Sequence, residues 1–340
     1  MVLPAQDPGL LKQLPEIVRA YQRPDNRMAA IQVANSFVPF IALWAASYWL
    51  LDVSIGLAVG IGFLNTVFLV RIFIIQHDCC HQSFTASRRL NDLIGQLCSL
   101  VSFIPYRYWT RSHQFHHAHN GLLCDERGIG EIYTMTVREF MALGRLGQWR
   151  YRLFRSFPVL FILGPPWYLL VQNRLPLIRL KGWESARRSL LLHDLALFVV
   201  YLLVATVLGW EALVYVHLPS LLGFAFTAMW FFYVQHQHER GYRASKGDWD
   251  FVRAAVQGSS YYRLPRVFNW ITGDIGYHHI HHLNARVPNY QLARCQRENP
   301  ILGQVATSLD FRQSLRCISN ALWDEDRQRM ISFKDLRRAC

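Results

Sequence analysis

Charge is scarce in this chain. Charged residues make up 17% of its 340 residues and hydrophobic ones 52%, which is less charged and more apolar than an ordinary soluble domain. The seven cysteines are odd in number and scattered, so no zinc module or disulfide framework can be read from their spacing. The adjacent Cys79 and Cys80 read as packing residues in a reducing compartment. The polar stretch Met1 to Met28, with Pro4, Pro8, Pro15 and Pro24, lacks the short apolar core and cleavage site of a secretory signal. No low-complexity tract is present, and no repeat of about 20–50 residues apart from two similar apolar blocks. No Gly-x-Gly-x-x-Gly follows a strand, and no His-Pro-Gly-Gly occurs. Neither a dinucleotide-binding domain nor a fused cytochrome b5 is therefore expected.

The apolar excess is concentrated. Ile31 to Gln76 holds only Asp52 and Arg71 as charges, and Ser189 to Val234 is similar. A bilayer core takes about 20 helical residues per crossing, so each block fits a hairpin. The turns fall at Leu51-Asp52-Val53 and Gly209-Trp210-Glu211. No Lys or Arg lies between Asp52 and Val70, or between Ser189 and His238, whereas the rest is Arg-rich. The positive-inside rule then puts both turns outside and all other segments on the cytoplasmic side. Trp44, Trp49, Trp210 and Trp230 suit either interfacial or core positions. Leu93 to Pro105 and Phe157 to Leu170 are too short to cross and read as interfacial or re-entrant.

The expected fold is an all-α integral membrane protein with four transmembrane helices in two hairpins, interfacial helices and a cytosolic histidine-rich cap. An N-terminal segment (1–30) precedes one domain (31–300), with helices at about 31–54, 55–76, 189–210 and 212–234. A cytosolic tail (301–340) follows. The net charge of +13 suits anionic headgroups or an acidic redox partner. No distinct basic domain exists to suggest nucleic acid.

Fourteen histidines are present, and twelve fall in four clusters just outside the proposed crossings. They are His77 and His81; His113, His116, His117 and His119; His236 and His238; and His278, His279, His281 and His282. His193 and His217 stand alone and read as structural. Residues three or four apart share a helix face, so His77/His81, His113/His116/His117 and His278/His281/His282 are candidate metal ligands, with His236 as a ninth. Nine imidazoles exceed one ion's needs and suit two. Four crossings place all the clusters on one membrane face; a crossing at Leu93 to Pro105 would divide them. Asp78, Glu239 and Asp274, with His119, His238 and His279, are candidates to orient ligand imidazoles. Asp274 would share a face with His278 if both were helical.

A histidine site at the membrane surface could meet an acyl chain rising from the bilayer; such chains offer only unactivated C–H bonds, so attacking them would take a redox metal, O2 and two electrons. Zinc has no redox chemistry, whereas iron with open positions activates O2. A metalloprotease would place Glu directly after the first histidine, where this chain has Asp78. A metal transporter would need ionisable groups inside its spans, but Asp52 and Glu211 are at turns and His193 and Asp194 near one end.

The patterns His77-Asp-Cys-Cys-His81, His113-Gln-Phe-His116-His117 and His278-His-Ile-His281-His282, with His236 before the last, resemble the membrane fatty acid desaturase superfamily over roughly residues 35 to 300. The flanks are similar to its omega-6 (Delta-12-like) acyl-lipid branch. They are Tyr108-Trp109-Thr110-Arg111, Arg127-Gly128-Ile129-Gly130-Glu131-Ile132-Tyr133, Gly276-Tyr277 and Arg286-Val287-Pro288-Asn289-Tyr290. Cys80, where glycine is common, and His238 depart from the pattern without removing a ligand. The resemblance implies two iron ions, O2 as co-substrate, a membrane lipid acyl chain as substrate, and an external electron donor of ferredoxin or cytochrome b5 type. Arg88, Arg89, Arg107, Arg111 and Arg127 could dock that donor or hold lipid headgroups. A lipid or carotenoid hydroxylase or ketolase shares these boxes, and a non-catalytic metal-binding membrane protein is a third reading.

Overall fold

The computed structural model describes residues 8–339. Pro4, in the N-terminal stretch read as polar, lies outside the described residues. Helix α1 (Pro8–Arg19) buries Leu14 and Val18 in a cluster with Ile280 and Leu283, so the start of the chain packs beneath the last histidine cluster. Asp25 then starts α2 (Asn26–Trp49) by accepting from the Arg27 and Met28 amides at 2.8 and 3.1 Å, as an N-cap should. A 3-10 turn (Leu50–Asp52) and a Ser54 cap lead into α3 (Ile55–Leu64) and α4 (Thr66–Cys80). Asn65, buried at the break, donates to the Phe40 carbonyl at 3.0 Å and fastens the returning helix to the outgoing one.

Among the described residues, four helices are long and apolar enough to cross a membrane: Asn26–Asp52, Ile55–Cys80, Glu184–Leu208 and Ala212–His236. The third is α10 (Glu184–Leu208). The fourth is a π-helical stretch (Ala212–His217) continued by α11 (Leu218–His236). The inner pair pack closely. A Cβ on Gly62 would fall 2.8 Å from the Val216 carbonyl, and one on Gly223 would meet Thr66 Oγ1 at 2.1 Å. Tyr48 donates to the Leu208 carbonyl at 3.0 Å, so both hairpin turns share one end. Trp49 and Trp210 are exposed there, whereas Trp44 and Trp230 pack inward.

The segment between the hairpins starts at the opposite end and dips back among the spans, where Tyr201 donates to the Leu100 carbonyl at 3.0 Å and Phe103 lies against His217. Helix α5 (Arg88–Ser102) is inside-out: Asn91, Gly95, Ser99 and Ser102 face the protein, while Leu90, Leu93 and Leu97 are exposed. That pattern suits a lipid-facing surface helix. Helix α6 (Tyr106–His119) follows. After α7 (Val137–Ala142) and α8 (Arg145–Phe154) comes a π-helical stretch (Pro158–Leu163) and α9 (Gly164–Leu170). The run from Pro158 to Arg174 bends by 50° from α8. Pro158, Pro165 and Pro166 lack the amide that a straight helix needs.

The remaining cap is built from short pieces: α12 (Phe251–Gln257), α13 (Arg266–Ile271), α14 (His278–Leu283), α15 (Asn289–Glu298), α16 (Ile301–Val305), α17 (Phe311–Cys317) and α18 (Phe333–Ala339). Among the described residues, five strands of two or three residues join them. Strand β1 (Met135–Thr136) runs parallel to β4 (Leu322–Asp324), which pairs antiparallel with β5 (Arg329–Ile331). Strand β2 (Ser260–Tyr262) runs parallel to β3 (Thr307–Leu309), with Tyr261 opposite Ser308. The fold is thus helical, with small sheets stitching its tail to its middle.

Candidate metal centre

Two span ends supply the first histidines, and each is clamped the same way. Gln76, just before His77, donates to the Ile104 carbonyl at 2.9 Å and accepts from Ser102 at 2.7 Å. Gln235, just before His236, donates to the Ile275 carbonyl at 2.8 Å. Both glutamines are buried. One bond ties α4 to the entry of α6, the other ties α11 to the entry of α14. Tyr106 adds a bond to the Cys79 carbonyl at 2.9 Å. The four histidine-bearing segments are therefore joined at their roots in two pairs, α4 with α6 and α11 with α14.

Their imidazoles converge in two groups. His77, His81, His113, His117 and His281 each present a ring nitrogen within 4.8 Å of the others, as do His116, His236 and His282. His278 joins the second group, with its Nε2 at 3.0 Å from that of His236 and 3.1 Å from that of His282. Further Nε2 pairs stand at 3.2 Å (His116–His236), 3.1 Å (His113–His117) and 3.0 Å (His117–His281). The groups touch where His117 and His282 stack with ring centres 4.1 Å apart.

The outward nitrogens explain why this arrangement calls for a cation. His236 Nδ1 lies 3.2 Å from the Gly258 carbonyl and His77 Nδ1 lies 3.2 Å from Asp78 Oδ1. A carbonyl oxygen can only accept, so the His236 proton sits on Nδ1 and its Nε2 points a lone pair inward. Where two such lone pairs meet at 3.0–3.2 Å they repel unless a cation lies between them. Two nitrogens each about 2.1 Å from one ion and at right angles to it are about 3.0 Å apart, which is the spacing seen. Burial, then neighbouring imidazoles, holds His81, His113, His117, His278, His281 and His282 well below the usual imidazole value. Burial also brings His116 down to about 4 against the opposing pull of Glu131. Neutral imidazoles are the form that binds a metal, and the residues fit one in each group.

The other sequence candidates fall in different places. Asp78 is buried behind His77, and its second oxygen accepts from the Asn289 amide at 2.6 Å and side chain at 2.8 Å. Glu239 points away and pairs with Arg329 at 2.9 Å. Asp274 does not continue the helix of His278, because Gly273 and Asp274 both have positive φ (+52° and +57°) and end the turn before α14. Burial raises the Asp274 carboxyl to about 6, against Arg297 and Arg71. His119 stacks on Phe115 with Nδ1 2.9 Å from its carbonyl. His279 meets Gln296 at 3.0 Å on the far side of α14. His238 is fully buried with neither ring nitrogen paired. His193 and His217 meet Ser99 and Tyr201.

Sequence reasoning missed several contributors. Glu131 is a buried carboxylate 3.9 Å from His116 Nδ1 and is paired with Arg243 at 2.9 Å. Glu131 and Asn289 both lie in the flanking runs that carry the family resemblance, so a signal was present. Gln76 and Gln235 had one too, in the repeated Gln-His at the two span ends. The Gly258 carbonyl had none. A cavity of about 360 Å3, lined by His81, Gln114, His117, Phe251, His282 and Arg286 among others, opens onto the imidazoles from the cap.

Comparison with known proteins supports this geometry. The fatty acid desaturase family model matches residues 49–308. A fatty acid desaturase of Bacillus subtilis is 39% identical over 327 residues, covering 96% of this chain and 92% of the relative. An sn-1 acyl-lipid omega-3 desaturase (ferredoxin) of Synechocystis is 30% identical, over 68% of this chain and 65% of its own length. An sn-1 oleoyl-lipid 12-desaturase of Anabaena variabilis is 25% identical, over 83% and 78%. Histidine boxes gathered at one end of four apolar helices, and this similarity over nearly the whole length, make the chain a membrane-embedded oxidoreductase of the fatty acid desaturase family.

Proposed function

We propose that the chain is an O2-dependent di-iron desaturase that introduces a double bond into a lipid-linked fatty acyl chain. The observation that carries this reading is the division of nine inward-facing imidazoles into a group of five and a group of four. His77, His81, His113, His117 and His281 would hold one iron, and His116, His236, His278 and His282 the other. When bound, such a pair supplies the oxidising power, drawn from O2 and two external electrons, that removal of two hydrogens from adjacent methylenes requires. The all-nitrogen donor set suits iron, and zinc would add no redox chemistry.

The chain's own residues set the stage for that chemistry. Asp78 fixes the His77 ring from behind, while Asn289 holds Asp78 in turn. The Gly258 carbonyl does the same for His236. Trp109 stacks on His113 with ring centres 4.4 Å apart, and Phe232 lies against His116 and His236, so apolar rings shield the site from bulk water. The cap cavity reaches His81, His117 and His282 from outside. It is a path for O2 and water.

Arginine-rich segments share the centre's end of the spans, which supports a cytoplasmic site and an electron donor of ferredoxin or cytochrome b5 type. Relatives named for omega-3 and for 12-desaturation match at similar identity, so the omega-6 reading rests on the flanking motifs. The test is expression in a host rich in monounsaturated lipids that supplies a ferredoxin, with double bonds located by mass spectrometry. A new diene that is absent with His281→Ala supports the reading. A hydroxylated product would replace it with the hydroxylase reading.

A further inference from the structure

Helix α8 presents a wet face and a greasy one in an unexpected order. Tyr151 and Arg155 are buried against the cap. On the opposite side Leu146, Trp149, Leu153 and Phe154 are exposed, followed by Phe157. At 100° per residue these side chains form one stripe, with Arg150 inside it and Arg145 at its edge. The stripe runs on into Ile162, Leu163 and Trp167, in the bent segment that is apolar enough to enter a bilayer.

The chain's last helix completes this surface. Strands β4 and β5 bring α18 back against the middle of the chain, where Phe333 packs on Phe140 and Tyr151. Arg152 bridges the two helices, with its guanidinium 4.4 Å from the Phe333 ring centre. Lys334, Arg337 and Arg338 are exposed on α18. None of these three, nor Arg145 or Arg150, forms an ion pair among the described residues. The one acid on α18, Asp335, is turned to Ser332 at 2.6 Å.

We propose that α8 and α18 together form an anionic-lipid docking surface that seats the cap on the leaflet beside the spans. Unpaired cations flanking an aromatic stripe are the chemistry of a helix lying in a negatively charged interface. An arginine in the middle of the stripe suits a lipid surface, where it can reach up to phosphates, better than a dry protein contact. Continuity with the bent apolar segment fixes which way the stripe faces. Helix α18 lies beyond the residues matched by the family model, which end at 308. None of the residues on this surface is among the box histidines or lines the cavity beside them.

The test uses the full-length protein in nanodiscs of phosphatidylcholine alone or mixed with phosphatidylglycerol. Amide exchange is followed over residues 145–157 and 333–338, and Trp149 is read by quenching with brominated lipid against a Trp149→Phe control. The expected result is slower exchange in the anionic discs, about fivefold per cation engaged, and quenching of Trp149. Both effects should fade in high salt. The combined Lys334→Gln, Arg337→Gln and Arg338→Gln variant should lose the lipid dependence while keeping its helix content. Equal exchange in both lipids overturns the proposal. So does protection that appears only with a second copy per disc, or only on adding an acidic redox protein.

Discussion

Within each hairpin the two helices have different surroundings. About half of the best apolar window is buried in the returning spans Ile55–Cys80 and Ala212–His236 (50% and 44%), against 22% and 11% in the outgoing spans Asn26–Asp52 and Glu184–Leu208. The returning helices meet each other through Gly62 and Gly223 and end in His77 and His236. The outgoing ones show residues such as Leu195 and Phe198 to their surroundings. Apolarity all round a helix is thus used in two ways. One pair supplies close packing that holds the box histidines in place, and the other supplies lipid contact. Between lipid-facing helices there is little hydrophobic drive, so position must come from packing and hydrogen bonds on the inner pair.

The largest expected break in this contrast is at the ligands. His281→Ala should abolish product formation and lower bound metal, read by elemental analysis of the purified protein. Retained activity would remove the two-group reading. Acid should act on the same end. His116 is held at about 4 when folded, against about 6.5 in an unfolded chain. The unfolded state therefore binds more protons between those values, and stability falls as pH drops from about 6.5 towards about 4. Protons also compete with metal for neutral imidazoles. Metal should be released across that window, and metal release that is flat with pH would contradict it.

Smaller effects sharpen the contrast. Leu69, fully buried on α4, should cost about 2–4 kcal/mol as Leu69→Ala, measured by thermal unfolding in micelles. Asp78→Asn keeps the shape but weakens the acceptor behind His77, and should cost about 10–100-fold in metal affinity with little change in helix content. Leu195→Ala on the lipid side of α10 should stay within about 0.5 kcal/mol. A loss there as large as at Leu69 would mean that α10 packs against something besides lipid.

The sequence exposes some of these features and hides others, for physical reasons. Spacing within a helix is local, so the faces of His77/His81 and His113/His116/His117 are legible from the boxes alone. Hydropathy marks the apolar centre of a span but not its polar start. Helices α2 and α10 begin at Asn26 and Glu184, five residues ahead of the apolar blocks, because the Asp25 cap and the Glu184 turn are polar. Asp274 misleads because its value depended on a helix that two left-handed residues prevent. Glu239 stands three residues from His236, yet its side chain goes to Arg329. Glu131 shows the converse: it lies 15 residues from His116 in sequence and is brought beside it only by tertiary folding. Nothing in local pattern foretells which carboxylate will end up behind which imidazole.

The parallel pairing of β2 with β3 joins residue 260 to residue 307, and the last box histidine, His282, is made long after the first, His77. At about 5–20 residues per second the ribosome takes about 10–40 s to travel between those two codons. By then the first hairpin is already in the bilayer. Its imidazole pair is joined by the second box soon after, but waits out that interval for His281 and His282. The assembled cage is a product of late biosynthesis, and a chain stalled before its third box carries binding groups but cannot close them around an ion.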